Sequence, residues 1–150
     1  MYPDGRVARL ITESFIPARL HVKDQAADFQ RFGERYGAQW TPTILELDPE
    51  GNEQHRVEGF LETLDFLAQL KLGQGKIAFN AKRWPDAERL FREVVEQHAK
   101  SDAASEALYW AGVSRYKASG DATDLKKTWQ ALSEKYPDST WTKKASIWKG

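Results

Sequence analysis

The three histidines are the residues in this chain that could most readily support metal chemistry. His21, His55 and His98 lie in three different segments, and none has a second histidine three or four residues away. Metal-binding histidines on one helix face are normally paired at that spacing. The pattern therefore predicts surface or packing histidines, with no metal site and no other cofactor.

The sequence also contains no pattern that indicates catalysis by a cysteine thiol or a serine nucleophile. The 150 residues contain no cysteine, so this polypeptide has no disulfide and no catalytic thiol. A Gly-x-Ser-x-Gly nucleophile elbow is also missing. Gly73-Gln74-Gly75-Lys76 lacks the full spacing of a phosphate loop and follows no predicted strand, so helix packing explains it better. The chain as it stands is expected to have no enzymatic activity.

The charge balance limits the class of partner. The chain has 22 Lys and Arg against 22 Asp and Glu, and its pI is near 6.8. Nucleic acid and anionic membrane surfaces attract basic proteins, so neither is an expected partner. No apolar run approaches the roughly 18 residues of a membrane span, and the N-terminus does not have the pattern of a signal peptide. We expect a soluble, cytoplasmic protein with a protein or peptide partner.

The elements of the first half alternate between helix and strand. Apolar residues at helical spacing and at period two predict the helices and the strands respectively. Asp48-Pro49-Glu50-Gly51-Asn52 is a dense turn signal, so the two strands beside it are expected to form an antiparallel hairpin. The predicted order is helix (3–15), strand (16–22), helix (24–36), strand (39–47), strand (53–59) and a helix from Leu61.

Five short segments follow one another in this half. They are Ser14-Phe15-Ile16-Pro17-Ala18-Arg19-Leu20, Tyr36-Gly37-Ala38-Gln39-Trp40-Thr41-Pro42-Thr43, Asp48-Pro49-Glu50-Gly51, Val57-Glu58-Gly59-Phe60 and Phe66-Leu67. They resemble successive landmarks of a thioredoxin-family domain. Thr41-Pro42-Thr43 resembles the family's cis-proline signature, which in that family faces a redox dithiol and pairs with a bound substrate strand. The resemblance implies a peptide-binding face at Trp40, Thr41, Pro42, Gly59 and Phe60. The alternative is that Trp40 and Phe60 are core or edge-covering aromatics and Pro42 shapes a turn.

The resemblance begins after the family's first central strand and its Cys-x-x-Cys motif. Met1-Tyr2-Pro3-Asp4 resembles the later part of the helix that follows this motif, so the strand and both cysteines would lie upstream of Met1. Either the chain is the remainder of a longer protein, or it starts here and has lost the chemistry. Without that strand the sheet would have an unpaired edge, through which two copies could form a homodimer.

The second half has an internal repeat. Helical spacing continues from Lys71 to the C-terminus, interrupted near Ser101, Gly120 and Pro137. Five residues have counterparts 37 positions later in the first helix of the repeat and 38 positions later in the second. They are Gly75, Phe79, Ala87, Phe91 and Val94, matched by Gly112, Tyr116, Leu125, Trp129 and Leu132. This pattern resembles a pair of tetratricopeptide repeats, whose period is about 34 residues.

Two repeats need neighbours, because about three are normally required for stability. Leu64, Leu67 and Leu70 are expected to pack the array against the preceding domain. A final helix, Thr140 to Trp148 with Ser139 as its N-cap, is expected to cover the other end. The resemblance places a partner-binding groove on the inner helices, at Lys76, Asn80, Tyr109, Trp110 and Arg115. The alternative is a solvated helix face.

The sequence thus predicts an α/β unit followed by an all-α unit. Residues 1–72 would form a partial thioredoxin-like fold, packed on a two-repeat tetratricopeptide array with a capping helix at residues 73–150. The expected function is a non-catalytic protein-binding or scaffold module. The alternative is the C-terminal portion of a thiol-disulfide oxidoreductase of cell redox homeostasis, whose Cys-x-x-Cys lies upstream of Met1.

Overall fold

The computed structural model describes residues 4–150. These residues form seven α-helices, a two-stranded sheet and a final 3-10 turn. In chain order they are α1 (Gly5–Ser14), α2 (Ala26–Tyr36), β1 (Thr43–Leu47), β2 (Glu53–Glu58), α3 (Thr63–Asn80), α4 (Trp84–Gln97), α5 (Ala103–Ser119), α6 (Thr123–Lys135), α7 (Thr140–Ala145) and the 3-10 turn (Ser146–Trp148). None of these helices is long and apolar enough to cross a membrane.

The predicted hairpin is confirmed. β1 pairs antiparallel with β2, with Thr43 opposite Glu58 and Glu46 opposite His55, and the register shifts between Glu46 and Leu47. In the turn, Asp48 Oδ1 accepts the backbone N–H of Asn52 at 2.8 Å. This short-range bond explains why the turn residues alone were enough to predict the hairpin.

The predicted strand at residues 16–22 is wrong. This segment has no strand pairing, and Ile16 is fully exposed. A strand needs a neighbour to accept its backbone hydrogen bonds, and the sheet in the described part of the chain contains only β1 and β2. Period-two alternation alone is therefore not enough to form a strand here.

The helix predicted at residues 3–15 forms as α1, capped by Asp4, whose side chain accepts the backbone N–H of Arg6 at 2.8 Å. Met1 to Pro3 lie outside the described residues. A small core joins α1 to α3 through Val7, Leu67 and Leu70. Of the three leucines expected at this contact, Leu64 is 55% exposed, so the prediction is wrong for that residue.

Helices α3 to α6 pack consecutively into one helical core. Where α3 meets α4, a Cβ atom on Gly75 would lie 2.5 Å from Cε1 of Phe91. Where α5 meets α6, a Cβ atom on Gly112 would lie even closer to Oγ1 of Thr128. Both glycines are needed because the neighbouring side chain occupies the space of a Cβ.

The buried positions repeat every 37 residues in both helices of the repeat. Ala87 and Phe91 of α4 correspond to Asp124 and Thr128 of α6, and all four are buried. The sequence alignment with a displacement of 38, which matched Phe91 to Trp129, is therefore wrong for the second helix. Matching apolar residues of α4 to apolar residues of α6 gave the wrong alignment, because α6 buries a carboxylate and a hydroxyl where α4 buries alanine and phenylalanine.

The predicted capping helix forms as α7 and the 3-10 turn. Ser139 Oγ accepts the backbone N–H of Trp141 at 3.1 Å, and Thr142 Oγ1 donates to the carbonyl of Tyr136 at 2.6 Å. α7 packs on α5 and α6.

The predicted boundary between two units, at residues 72 and 73, falls inside α3, which is a single helix there. The division into two units stays a prediction.

Candidate protein-binding surfaces

The open end of the hairpin brings five predicted site residues together. The N–H of Gly59 donates to the carbonyl of Pro42 at 2.9 Å, which continues the β1–β2 register by one pair. Thr41 and Phe60 are the next residues outward on the two strands, and Thr43 Oγ1 donates to the carbonyl of Trp40 at 2.6 Å. We call Trp40, Thr41, Pro42, Gly59 and Phe60 the hairpin face.

The hairpin face is apolar and open to solvent. Trp40 is 68% exposed and Phe60 is 74% exposed, so neither ring belongs to a core. Leu64, in the first turn of α3, adds another exposed apolar side chain. The Thr41–Pro42 peptide bond is cis. Exposed large apolar residues close together are typical of interaction surfaces.

On the helical array, two of the predicted groove residues are held by β2 and α5. Lys76 Nζ lies 2.8 Å from Glu106 Oε1 on α5 and 3.2 Å from His55 Nδ1 on β2. Asn80 Nδ2 donates to the side-chain oxygen of Gln54 on β2. The hairpin therefore covers part of the α3 surface that was predicted to belong to a groove.

Two more of the groove residues, Tyr109 and Trp110, belong to a row of aromatic side chains on the first helices of the repeats and on the cap. Ring centroids are 5.1 Å apart for Phe79 and Trp110, 5.3 Å for Tyr109 and Trp110, and 5.1 Å for Tyr109 and Trp141. We call Phe79, Tyr109, Trp110 and Trp141 the aromatic row. Each ring is partly buried, and burial raises the pKa of Tyr109.

A cation borders the aromatic row at its C-terminal end. Lys144 Nζ lies 4.0 Å from the ring centroid of Trp141, a distance at which the ring attracts a cation. Trp110 Nε1 donates to Glu106 Oε1 at 3.3 Å. Tyr109 and Trp110 were predictable as groove residues, but the row as a unit was not, because the row connects helices far apart in the chain.

Arg115 lies elsewhere. Its Nε is 3.1 Å from Asp124 Oδ1, and its Nη1 is 3.6 Å from Glu88 Oε1. Arg115 is nine residues after Glu106 on α5, about two and a half helical turns, so the two side chains leave opposite sides of the helix. The structure does not bring Arg115 together with the other four predicted groove residues.

Sequence reasoning missed a buried polar cluster between the hairpin and the array. Glu46 on β1 is 4% exposed, and burial raises the pKa of its carboxyl to about 9, opposed by Lys76. Beside it, His55 Nε2 lies 2.7 Å from Gln69 Oε1, and burial together with Lys76 lowers the pKa of His55. The sequence did carry a signal for a buried carboxyl, because Glu46 lies on the same strand face as the apolar Ile44.

No cluster suited to a metal ion occurs between Asp4 and Gly150: nowhere there do three or more His, Asp or Glu side chains converge. His21 is exposed and its Nδ1 accepts the backbone N–H of Asp24 at 3.3 Å. His98 lies at the end of α4, far along the chain from the hairpin that carries His55.

Comparison with known proteins gave a family match for one segment of the chain. A sequence model of the tetratricopeptide repeat family matches residues 106–139, which include most of α5, all of α6 and the N-cap of α7. Neither the curated proteins nor the solved structures gave a match to the chain. Repeats of this family mediate protein–protein interaction. The segment from Glu106 to Ser139 is therefore similar to a tetratricopeptide repeat, and the similarity supports a protein-binding or scaffold module.

Proposed function

We propose that this chain is a non-catalytic binding module with two surfaces for protein partners, the aromatic row of a short tetratricopeptide array (73–150) and the hairpin face of a thioredoxin-like unit (1–72). The observation that carries the proposal is that the segment similar to a tetratricopeptide repeat contributes Tyr109 and Trp110 to a partly exposed aromatic row. Tyrosine and tryptophan supply much of the binding energy at protein interfaces. Lys144 beside Trp141 favours a peptide that carries a carboxylate next to an apolar side chain.

A peptide library displayed on phage tests the aromatic row. Peptides selected on the whole chain should bind the Trp141→Ala variant at least tenfold more weakly, because truncating a central aromatic residue typically costs about 2 kcal/mol or more. Ile147→Ala is the matched control, since Ile147 is exposed on the same C-terminal segment but lies outside the row. Equal affinity of the selected peptides for wild type and Trp141→Ala would contradict the assignment.

The hairpin face is proposed as the second surface because its five residues are contiguous and its two aromatic rings are exposed. Among residues 4–150, β1 pairs only with β2, so its second edge is open next to the hairpin face. Bonded pairs alternate in an antiparallel ladder, and the Pro42–Gly59 pair is bonded, so the backbone groups of Thr43 and Leu45 point away from β2. An extended segment of a partner could add to β1 at this edge.

The same phage selection tests the hairpin face. A second class of peptides is expected, sensitive to Phe60→Ala and insensitive to Trp141→Ala. Ile16→Ala is its control, since Ile16 is an exposed aliphatic side chain outside the hairpin. If every selected peptide is unaffected by Phe60→Ala, the hairpin face is not a binding surface.

The free edge of β1 also favours the alternative function, the C-terminal portion of a thiol-disulfide oxidoreductase. The edge and the unpaired segment at residues 16–22 would both gain a partner if a strand from upstream sequence lay between them. The coding region upstream of Met1 decides this question. A strand followed by Cys-x-x-Cys there would establish the alternative, and its absence would remove it.

Two copies paired through β1 are a further arrangement proposed for this edge. Light scattering of the purified chain distinguishes a dimer from a monomer. A Leu45→Pro substitution removes a backbone donor that points away from β2, so it should shift a β1-mediated dimer to monomer. A dimer that persists in this variant would form through another surface.

A further inference from the structure

The binding surfaces do not account for the buried carboxyl of Glu46. Its side chain is 4% exposed, and its Oε2 atom has no hydrogen-bond partner among residues 4–150. A charged carboxylate in such a position is strongly unfavourable, so a buried carboxyl without a partner takes up a proton. The geometry therefore indicates a neutral acid between β1 and α3.

A notch in α3 receives this carboxyl. The carboxyl atoms of Glu46 occupy the space where a Cβ atom of residue 73 would stand, and only the glycine at that position leaves it open. β1 and β2 both pack on α3. Docking of the hairpin thus carries the Glu46 carboxyl out of water, and undocking returns it.

The charged groups around Glu46 do not neutralise it. Lys76 faces it from α3, but the Lys76 ammonium is bound to Glu106 of α5 at 2.8 Å and to His55 Nδ1 of β2 at 3.2 Å. His55 is neutral, because Nδ1 accepts from Lys76 while the N–H at Nε2 donates to Gln69. Lys76, His55 and Glu106 therefore complete their own network beside a carboxyl whose Oε2 has no hydrogen-bond partner in the described part of the chain.

We propose that the hairpin is held on α3 by a proton-linked latch, in which the docked hairpin keeps one proton on Glu46 and the undocked hairpin releases it. Rising pH then favours undocking. Since β2 covers Lys76 and Asn80 through His55 and Gln54, undocking uncovers this part of the array. The latch is a property of the chain itself and does not depend on the proposed binding partners.

Hydrogen exchange of the whole chain tests the latch. Between the ordinary pKa of a glutamate, 4.5, and the raised value of about 9, each pH unit should raise the undocking constant about tenfold, because one proton is released. After correction for intrinsic exchange rates, peptides from β1 and β2 should lose protection about tenfold for each pH unit from pH 6 to pH 8, and by less as the pH approaches 9. Peptides from α4 to α6 serve as the internal reference.

Two variants make the result specific. Glu46→Gln keeps the shape of the side chain but cannot ionise, so its hairpin protection should be independent of pH. Glu50→Gln is the matched control in the exposed turn and should behave as wild type. The same pH dependence in wild type and Glu46→Gln would overturn the proposal.

A second measurement holds even if Glu46→Gln folds poorly. In wild type labelled with ¹³C at glutamate carboxyls, one carboxyl should titrate well above pH 7 while the others titrate near their ordinary value. If every glutamate titrates below pH 6, there is no proton on Glu46 to link to docking, and the latch is refuted.

Discussion

At the scale of single residues, the structure shows how the environment determines the ionisation of two neighbouring groups. Glu46 and His55 stand opposite each other on β1 and β2, and burial favours the uncharged form of both. The pKa of an acid therefore rises and the pKa of a base falls. The two groups make opposite contributions to the pH dependence of stability.

His55 predicts a loss of stability on the acid side. Its pKa is lowered from 6.5 in the folded chain, so the unfolded chain binds a proton below pH 6.5 that the folded chain does not. The free energy of unfolding should fall as pH drops below 6.5, by at most about 1.4 kcal/mol per pH unit from this group. Urea denaturation at pH 7.5 and pH 5.5 measures the effect as a difference between proteins, because Glu46 contributes in the opposite direction in both. The stability of His55→Gln relative to wild type should increase at the lower pH. The exposed His21→Gln is the control, and an equal change with pH in His55→Gln and wild type would contradict the role of His55.

The raised pKa of Glu46 predicts a loss of stability as the pH rises. Its folded pKa of about 9 lies above its ordinary value of 4.5, so its contribution is complete below pH 4.5 and is lost as pH rises towards 9. At pH 7 the difference between wild type and Glu46→Gln should approach about 3 kcal/mol in favour of the variant. Urea denaturation of both proteins at pH 5 and pH 8 gives the slope. A difference that does not grow with pH would show that Glu46 is ionised in the folded chain.

At the scale of elements, glycines set how closely the helices approach. Gly75 lies against Phe91 where α3 meets α4, and Gly112 lies against Thr128 where α5 meets α6. Turn and capping residues act over a few positions, so the hairpin turn, the three helix interruptions and the cap at Ser139 were predictable from sequence. The absence of a strand at 16–22 was not predictable, because strand formation depends on a partner strand elsewhere in the chain. The Glu46–Gly73 contact was not predictable either, because it joins distant elements.

Gly75 gives a prediction at this scale. Gly75→Ala should destabilise the chain by about 1–3 kcal/mol, because a Cβ there would lie 2.5 Å from the Phe91 ring and the core must shift. Gly5→Ala is the matched control, since a Cβ at Gly5 would meet nothing within 4 Å. Gly5→Ala should be neutral or slightly stabilising, as expected from helix propensity. Equal effects of the two substitutions in urea denaturation would show that close packing at Gly75 is unimportant.

At the scale of the whole molecule, α3 contributes to two hydrophobic cores. One side of it packs on α1 through Leu67 and Leu70, while Leu72 and Ala78 belong to the core of the array. The hairpin face was predictable as a set because its residues lie next to the hairpin ends. The aromatic row was predictable only in part, because the relation of Phe79 to Trp141 depends on how the helices stack.

The shared helix predicts cooperative unfolding at pH 7. Tryptophan fluorescence, which reports mainly on residues 84–148, and exchange of the β1 and β2 amides should give the same midpoint in urea. A hairpin that loses protection well before the fluorescence change would show two independently stable units. That outcome would also place the boundary between them on the N-terminal side of α3.

The contact between Glu46 and Gly73 has a consequence for sequence variation. Since the carboxyl occupies the space of a side chain at position 73, a related chain with alanine or a larger residue there has no room for glutamate at position 46. The two positions should therefore change together, although 26 residues separate them in the chain. Correlated substitution at this pair would then trace, across related sequences, which ones retain a buried acid beneath the hairpin.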